Sequence, residues 1–425
     1  MEVDEGQSQR ILGMKRVIAV LVVTFWASVV PATQDVPTHA PVWPERAFES
    51  ELDGKGVVLE LSGDPRRYRS FQIPVFGDGP NAAEHAQRLL DRAGQTAFEV
   101  DAASVRAEGA NSLVFRAPPA DWMRDGENGE RTLLFVSLQP EPYAIERTWM
   151  AYEPATTDDI DGLAIIVPGT FGYPPELYEK WSDDLRSRGW SVLRLLSQPS
   201  RFTERISVRI DGDGREQGRG FAERADDRTA ECAFAVEHGA RFIEQLDNRL
   251  VDKPRAILGF SGGAILAPGV VAREPDRYQT VILVAGGANA ASISIDSTFM
   301  ARFIRSVSFE FAGDDQAADR AAFEAGYLEH ATLDGFHAAA SFDQNTRVLV
   351  VDGTVDRAVP FVSSQLMVDR LRAAGIEPDR RSYPVNHVML FMALNESLQQ
   401  INDWIDDPNS TELALPPGEE ARARP

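Results

Sequence analysis

Ala256-Ile257-Leu258-Gly259-Phe260-Ser261-Gly262-Gly263-Ala264 is the stretch whose reading decides the fold. An apolar run of strand character leads into Gly-x-Ser-x-Gly, and small residues able to open a helix follow. That strand-turn-helix context is what a nucleophile elbow requires. In so tight a turn the residues two before and two after the serine crowd one another, and glycine at 259 and 263 removes the offending Cβ atoms. The serine is then held in a strained conformation, its Oγ above the sheet and the helix N-terminus behind it.

Working outward, strands and helices alternate on both sides of this stretch. Gly162–Val167 is a continuous apolar strand, Pro175–Arg188 a helix and Trp190–Leu196 a strand. Ala222–Leu250 is a long helix, Gly262–Val271 the elbow helix and Thr280–Ala285 the next strand. Strands at Arg347–Val351 and near Arg381–Tyr383 and a closing helix over Val388–Trp404 complete the series, which Thr132–Leu138 and Ala144–Tyr152 open as an antiparallel pair. Such alternation predicts an α/β fold with a parallel sheet covered by helices on both faces.

Two insertions interrupt the alternation. Ile206–Gly220 holds Asp211-Gly-Asp-Gly214 between two strand-like arms and predicts a β-hairpin, since the further ligands of a calcium loop are missing. Residues 289–345 carry Phe299, Phe303, Phe309, Phe311, Phe323, Tyr327, Phe336 and Phe342, and predict a helical cap over the serine.

A serine hydroxyl is a weak nucleophile at neutral pH, so it needs a general base, and the base needs an orienting group. Arg347-Val-Leu-Val-Val351 runs into Asp352-Gly-Thr-Val-Asp356-Arg-Ala-Val-Pro360, which places a carboxylate in a loop just after a strand. Asp356 is the candidate acid, with Asp352 its competitor. His387, on the loop after the last strand, is the candidate base among six histidines. The order Ser261, Asp356, His387 suits an elbow nucleophile. An oxyanion hole needs two backbone N–H donors. Gly262 supplies one, and the loop Pro168-Gly-Thr-Phe-Gly-Tyr-Pro174 supplies the other through Thr170 or Phe171.

Taken together, Gly259-Phe-Ser-Gly-Gly263, Gly353-Thr-Val-Asp356-Arg-Ala-Val-Pro360 and Asn386-His387 resemble the α/β-hydrolase superfamily over roughly residues 130–407. The resemblance implies the α/β-hydrolase fold, with a mostly parallel eight-stranded sheet, and a catalytic triad of Ser261, Asp356 and His387. The oxyanion loop departs from the His-Gly-Gly-Gly form of many lipases and esterases.

The ends of the chain carry their own signals. Lys15-Arg16 precede an apolar run from Val17 to Val30, and a small residue, Ala32, closes it. This predicts a signal peptide over 1–32, cleaved after Ala32, with Met14 as an alternative start, and hence a secreted or periplasmic protein without stable membrane insertion after cleavage. Residues 33–45 are rich in Pro and Thr and predict a linker. Residues 46–125 predict a small β-rich N-terminal domain with strands at Gly56–Leu61, Tyr68–Phe76, Thr96–Asp101 and Ser112–Arg116 and a helix at Asn81–Arg92. A flexible tail is expected over 408–425.

The single cysteine, Cys232, excludes an internal disulfide and fits a buried helix position. A net charge of −22 repels phosphate backbones and argues against nucleic-acid partners. No His/Cys/Asp cluster suggests a metal, and the triad chemistry requires no cofactor. The expected partner is a small-molecule ester substrate. The expected chemistry is ester hydrolysis through an acyl-enzyme, with a peptidase or amidase on the same triad, or a non-catalytic binding protein of this fold, as alternatives.

Overall fold

The computed structural model describes residues 37–44, 57–61, 71–74, 112–115, 131–139, 144–170, 175–196, 206–297, 307–396 and 398–407. The chain divides into two units, Met1–Pro37 and Thr38–Pro425, and everything below concerns the second. The expected signal peptide, the strand over 96–101, the helix over 81–92 and the tail over 408–425 lie outside the described residues.

The strands are β1 (Val57–Leu61), β2 (Phe71–Pro74), β3 (Ser112–Phe115), β4 (Arg131–Gln139), β5 (Ala144–Glu153), β6 (Gly162–Val167), β7 (Trp190–Leu195), β8 (Ile206–Ile210), β9 (Arg255–Phe260), β10 (Tyr278–Val284), β11 (Val307–Phe311), β12 (Arg347–Gly353) and β13 (Asp379–Tyr383). The helices are α1 (Pro175–Ser187), α2 (Gly214–Leu246), α3 (Gly262–Arg273), α4 (Ala290–Asp296), α5 (Gln316–His330), α6 (Gly335–Ala338), α7 (Phe361–Ala373), α8 (His387–Glu396) and α9 (Leu398–Asp406).

Among the described residues, nine strands form one sheet in the order β1-β4-β5-β7-β6-β9-β10-β12-β13. Pairing is antiparallel from β1 through β7 and parallel from β7 to β13. The sheet thus has one strand more than the expected eight: β1, read in the sequence as part of a separate N-terminal domain, pairs with β4 from Val57↔Val136 to Leu61↔Thr132. β2 and β3 form a two-stranded sheet of their own.

β6 and β9 are buried along their whole lengths, which is why Gly162–Val167 and Ala256–Phe260 are apolar without alternation. One face of the sheet (Ala164, Ile166, Leu258, Phe260, Leu349, Val351) packs against Trp181 and Leu185 of α1 and against Leu390, Leu394, Ile401 and Trp404 of α8 and α9. On the other side α3 packs against α2, β9 and β10, and α7 against β12.

The insertions differ from expectation. No hairpin forms at 206–220: β8 pairs in parallel with β11 instead, and Asp213 caps α2 by accepting the Glu216 N–H at 3.2 Å. Asp211–Gly214 is therefore a strand-to-helix turn, and α2 begins at Gly214 rather than near 222. Its glycines let α5 come close, since a Cβ on Gly218 would lie 2.1 Å from the Phe323 carbonyl oxygen. The cap over 289–345 is accordingly not purely helical: α4, α5 and α6 share it with β11. The expected closing helix over Val388–Trp404 is described as α8 and α9, on either side of residue 397.

Residues 38–43, within the expected linker, lie against the catalytic unit. The Val42 N–H donates to Thr332 Oγ1 at 2.9 Å, the His39 N–H donates to His337 Nδ1 at 3.0 Å, and Arg370 contacts Thr38 Oγ1. Trp43 and Phe234 flank the Arg273 guanidinium at 5.2 and 5.0 Å. His337 is fully buried, and burial holds its basicity below the usual histidine range. A neutral ring fits its contacts, because Nδ1 must accept from His39 while Nε2 donates to the Leu328 carbonyl.

Candidate active site

Ser261 sits between β9 and α3 with φ 52° and ψ −116°, a conformation that costs a non-glycine residue on the order of 1–3 kcal/mol. Its backbone N–H is tied to the Val284 carbonyl at 2.8 Å, and its carbonyl accepts from Ala264 and Ile265 as the helix opens. Gly259 makes room for that opening, since a Cβ there would lie 2.7 Å from Ala264 Cα. Gly263 does something different: its missing Cβ would lie 2.1 Å from the Val167 oxygen and 2.6 Å from the Pro168 oxygen. The first turn of α3 can therefore press against the end of β6, where the oxyanion loop begins.

The three predicted catalytic residues come together. Ser261 Oγ lies 2.9 Å from His387 Nε2, and His387 Nδ1 lies 2.6 Å from Asp356 Oδ2. His387 opens α8 and its ring packs edge-on against Phe391 at 5.1 Å. The Asp356 side chain is 2% exposed, and its Oδ1 accepts the N–H groups of Ala358 and Val359 at 2.7 and 3.1 Å. Those two bonds leave Oδ2 for the histidine. Asp352, the competitor, is engaged elsewhere: its Oδ2 accepts from Ser364 Oγ at 2.7 Å and from Arg380 Nε at 2.9 Å.

A serine on a strained elbow thus meets a histidine whose other ring nitrogen faces a buried carboxylate, in the chain order expected for an elbow nucleophile. The chain has the α/β-hydrolase fold. The model of the prolyl oligopeptidase family matches residues 206–407, which include all three triad positions. No curated protein sequence matches the chain at a significant level.

Among solved structures, the chain is similar to the uncomplexed acylaminoacyl peptidase of Pyrococcus horikoshii, at 11% identity and a TM-score of 0.43, over 66% of this chain and 48% of that one. It thus spans about half the length of that peptidase. It is also similar to Est1E from Butyrivibrio proteoclasticus, at 12% identity and a TM-score of 0.39, over 62% of this chain and 96% of that one. A cold-adapted esterase from an Arctic intertidal metagenomic library matches at 13% identity and a TM-score of 0.39, over 66% and 96% of the two chains.

The oxyanion donors are placed in part. Gly262 is the first residue of α3, so its N–H has no partner within the helix. Gly262 and Thr170 line the same pocket as Ser261, while Phe171 lies outside the described residues.

That pocket holds about 900 Å³ of space open to solvent. Much of its wall is apolar, including Phe221, Ile265, Leu266, Ile293, Val307 and Val359. Of the six cap aromatics among the described residues, Tyr327 alone is among its lining residues; Phe299 and Phe303 lie outside the described residues. Phe309 and Phe323 stack around Phe221 at 5.6 and 5.7 Å and so hold the cap on α2.

Two acids in the pocket wall escaped the sequence reading. Asp334 accepts from the N–H groups of Asn289, Ala290 and Phe336 and from the Tyr327 hydroxyl, all at 2.8 Å. Asp226, on α2, accepts from Leu333 N–H at 3.0 Å and from Thr332 Oγ1 at 3.1 Å. Burial, with the nearby Asp334 charge adding to it, pushes the Asp226 carboxyl up to about 8. Nothing in Ala225-Asp226-Asp227-Arg228 marks one acid of an amphipathic helix as the buried one.

Proposed function

We propose that this protein hydrolyses carboxylic esters through an acyl-enzyme on Ser261. The observation that carries the reading is the Ser261–His387–Asp356 chain, at 2.9 and 2.6 Å, opening into a largely apolar pocket. His387 Nε2 takes the Ser261 proton as Oγ attacks the carbonyl carbon. Asp356 holds the ring in the required tautomer and stabilises the imidazolium. The tetrahedral oxygen rests on Gly262 N–H and a donor from the 168–171 loop. The alcohol leaves with the proton from His387, and water activated by the same base releases the acid. The substrate is a small-molecule ester whose acyl group fills the apolar wall.

A peptidase or amidase on the same triad is the second reading, and the match to the prolyl oligopeptidase family over 206–407 favours it. Export of the chain belongs to the same proposal; N-terminal sequencing of the mature protein tests it, and a chain beginning at Thr33 is the expected result.

The test of function is fluorophosphonate labelling followed by mass spectrometry, beside Ser261→Ala, Asp356→Asn and His387→Ala. An adduct on Ser261 that is slowed in the Asp356 and His387 variants is expected. Matched ester and anilide substrates of one acyl group then separate the two readings, with ester turnover expected to dominate. A folded wild-type protein that takes no adduct would mean a non-catalytic binding protein.

A further inference from the structure

The loops that carry the acid and the base share one foot. The acid loop runs from β12 to α7 and holds Asp356, and the loop after β13 leads to His387 at the start of α8. The Thr354 N–H donates to the Tyr383 carbonyl at 2.7 Å. Gly353 admits the Val385 carbonyl, since a Cβ at 353 would lie 2.4 Å from its oxygen. Next to these contacts, near the end of β12, stands Asp352, its side chain 3% exposed. Its Oδ2 accepts from Ser364 Oγ on α7 at 2.7 Å and from Arg380 Nε on β13 at 2.9 Å. Arg380 reaches α7 as well: its guanidinium lies 4.6 Å from the Phe361 ring centroid, and Nη1 contacts Gln365 Oε1. Asp352 Oδ1 and Arg380 Nη2 are buried without a hydrogen-bond partner among the described residues. A buried ion pair is costly to desolvate and is weak evidence for stability alone, and each such atom adds to the cost.

We propose that Asp352 is a positioning residue for the triad: its carboxylate ties the end of β12 to α7 and to β13, and so sets Asp356 Oδ2 against His387 Nδ1. The Ser364 bond closes the chain from 352 to 364 into a ring that contains Asp356. The Arg380 bond holds that ring to the strand leading into His387. Within the ring, Asp356 Oδ1 accepts the Ala358 and Val359 N–H groups. The turn is thus braced from inside, and its place relative to His387 depends on its foot. The Asp356–His387 contact is 2.6 Å, so a small displacement of the foot costs rate while leaving ground-state binding almost unchanged. Asp352 touches no reacting atom and acts through Asp356 and His387. The proposal rests on the acyl-enzyme reading above.

The experiment places Asp352→Asn in two backgrounds, wild type and Asp356→Asn, and measures p-nitrophenyl butyrate turnover and the rate of fluorophosphonate labelling. Asn keeps the size of the side chain and an acceptor for Ser364, and removes the charge that faces Arg380. In the wild-type background kcat is expected to fall about 10- to 30-fold, with KM within about threefold and the labelling rate falling in step with kcat. In the Asp356→Asn background the same substitution is expected to cost less than about twofold, because the contact it serves is already lost. A folded Asp352→Asn protein with kcat and labelling within about threefold of wild type would overturn the proposal. So would an equal loss in both backgrounds, or a loss carried by KM, since either marks general damage to the fold or the pocket. If Asp352→Asn does not fold, Ser364→Ala replaces it, which opens the ring and leaves the ion pair in place. A loss of about fivefold confined to the wild-type background is then expected, and no loss refutes. A wild-type protein without a phosphonate adduct on Ser261 would overturn the acyl-enzyme reading and this one together. A normal adduct with an indifferent Asp352→Asn sinks the positioning role alone.

Discussion

Replacing Asp226 by Asn should make the protein more stable, by an amount that depends on pH in a defined way. Asp226 begins near 3.8 in the unfolded chain and is pushed up to about 8 by burial in the pocket wall, with Asp334 nearby. Because the folded value is raised, the native state binds one proton more than the unfolded chain between those values. The carboxyl's contribution to stability is fully present below the unfolded value, falls through the interval and is gone above about 8. The slope is ~1.4 kcal/mol per pH unit, and the whole interval amounts to on the order of 5 kcal/mol. Asn keeps the acceptor for Leu333 N–H and cannot ionise. The gap between variant and wild type should therefore widen by ~2.7 kcal/mol between about pH 5.5 and 7.5 and level off above about 8. Urea unfolding at four pH values from about 5.5 to 9 measures it, and taking the difference cancels every other titrating group. A gap that does not change with pH would refute the burial argument.

Three further outcomes follow from the geometry. Ser261→Ala, Asp356→Asn and His387→Ala should each lose at least ~10³-fold in kcat while staying folded by circular dichroism, and retention of ester turnover by Ser261→Ala would remove that serine from the mechanism. Gly263→Ala sets a Cβ against two backbone oxygens of 167–168, which cannot move independently, so a loss of ~3 kcal/mol in unfolding free energy and of phosphonate labelling is expected. Trp43→Ala removes a half-buried ring from the Arg273 guanidinium and should cost ~1–2 kcal/mol, read as a lower thermal midpoint with normal labelling of Ser261.

The elbow was legible because its chemistry and its backbone demand the same residues. Gly259 and Gly263 are required by contacts under 3 Å, and a strained serine between them serves one purpose. Asp356 and His387 could be found because each follows a strand of the sheet, a position the alternation of apolar segments makes visible. The pocket could not be found in this way. Asp226 and Phe221 reach it from the middle and start of α2, and local sequence does not say which face of a helix of 33 residues another element will cover. Asp211-Gly-Asp-Gly214 was misread because a turn into a helix and a hairpin turn use the same residues. The deciding partner, β11, lies about a hundred residues further on, as the Ser308–Ser207 contact shows.

The segment over 38–43 bears on the order in which the molecule can be completed. Its seats are Thr332, His337 and Arg370, separated from it by 290, 298 and 332 positions. A chain synthesised from its N-terminus exposes Trp43 and Val42 long before any of those seats exists, so they must wait through translation of nearly the whole catalytic unit. Thr332 also donates to Asp226, which lines the pocket. The pocket beside Ser261 is therefore braced from outside by a stretch made some 290 to 332 positions before its seats. A nascent chain cannot set that brace until Arg370 has been made, so the pocket beside Ser261 takes its final form late in the synthesis of the unit.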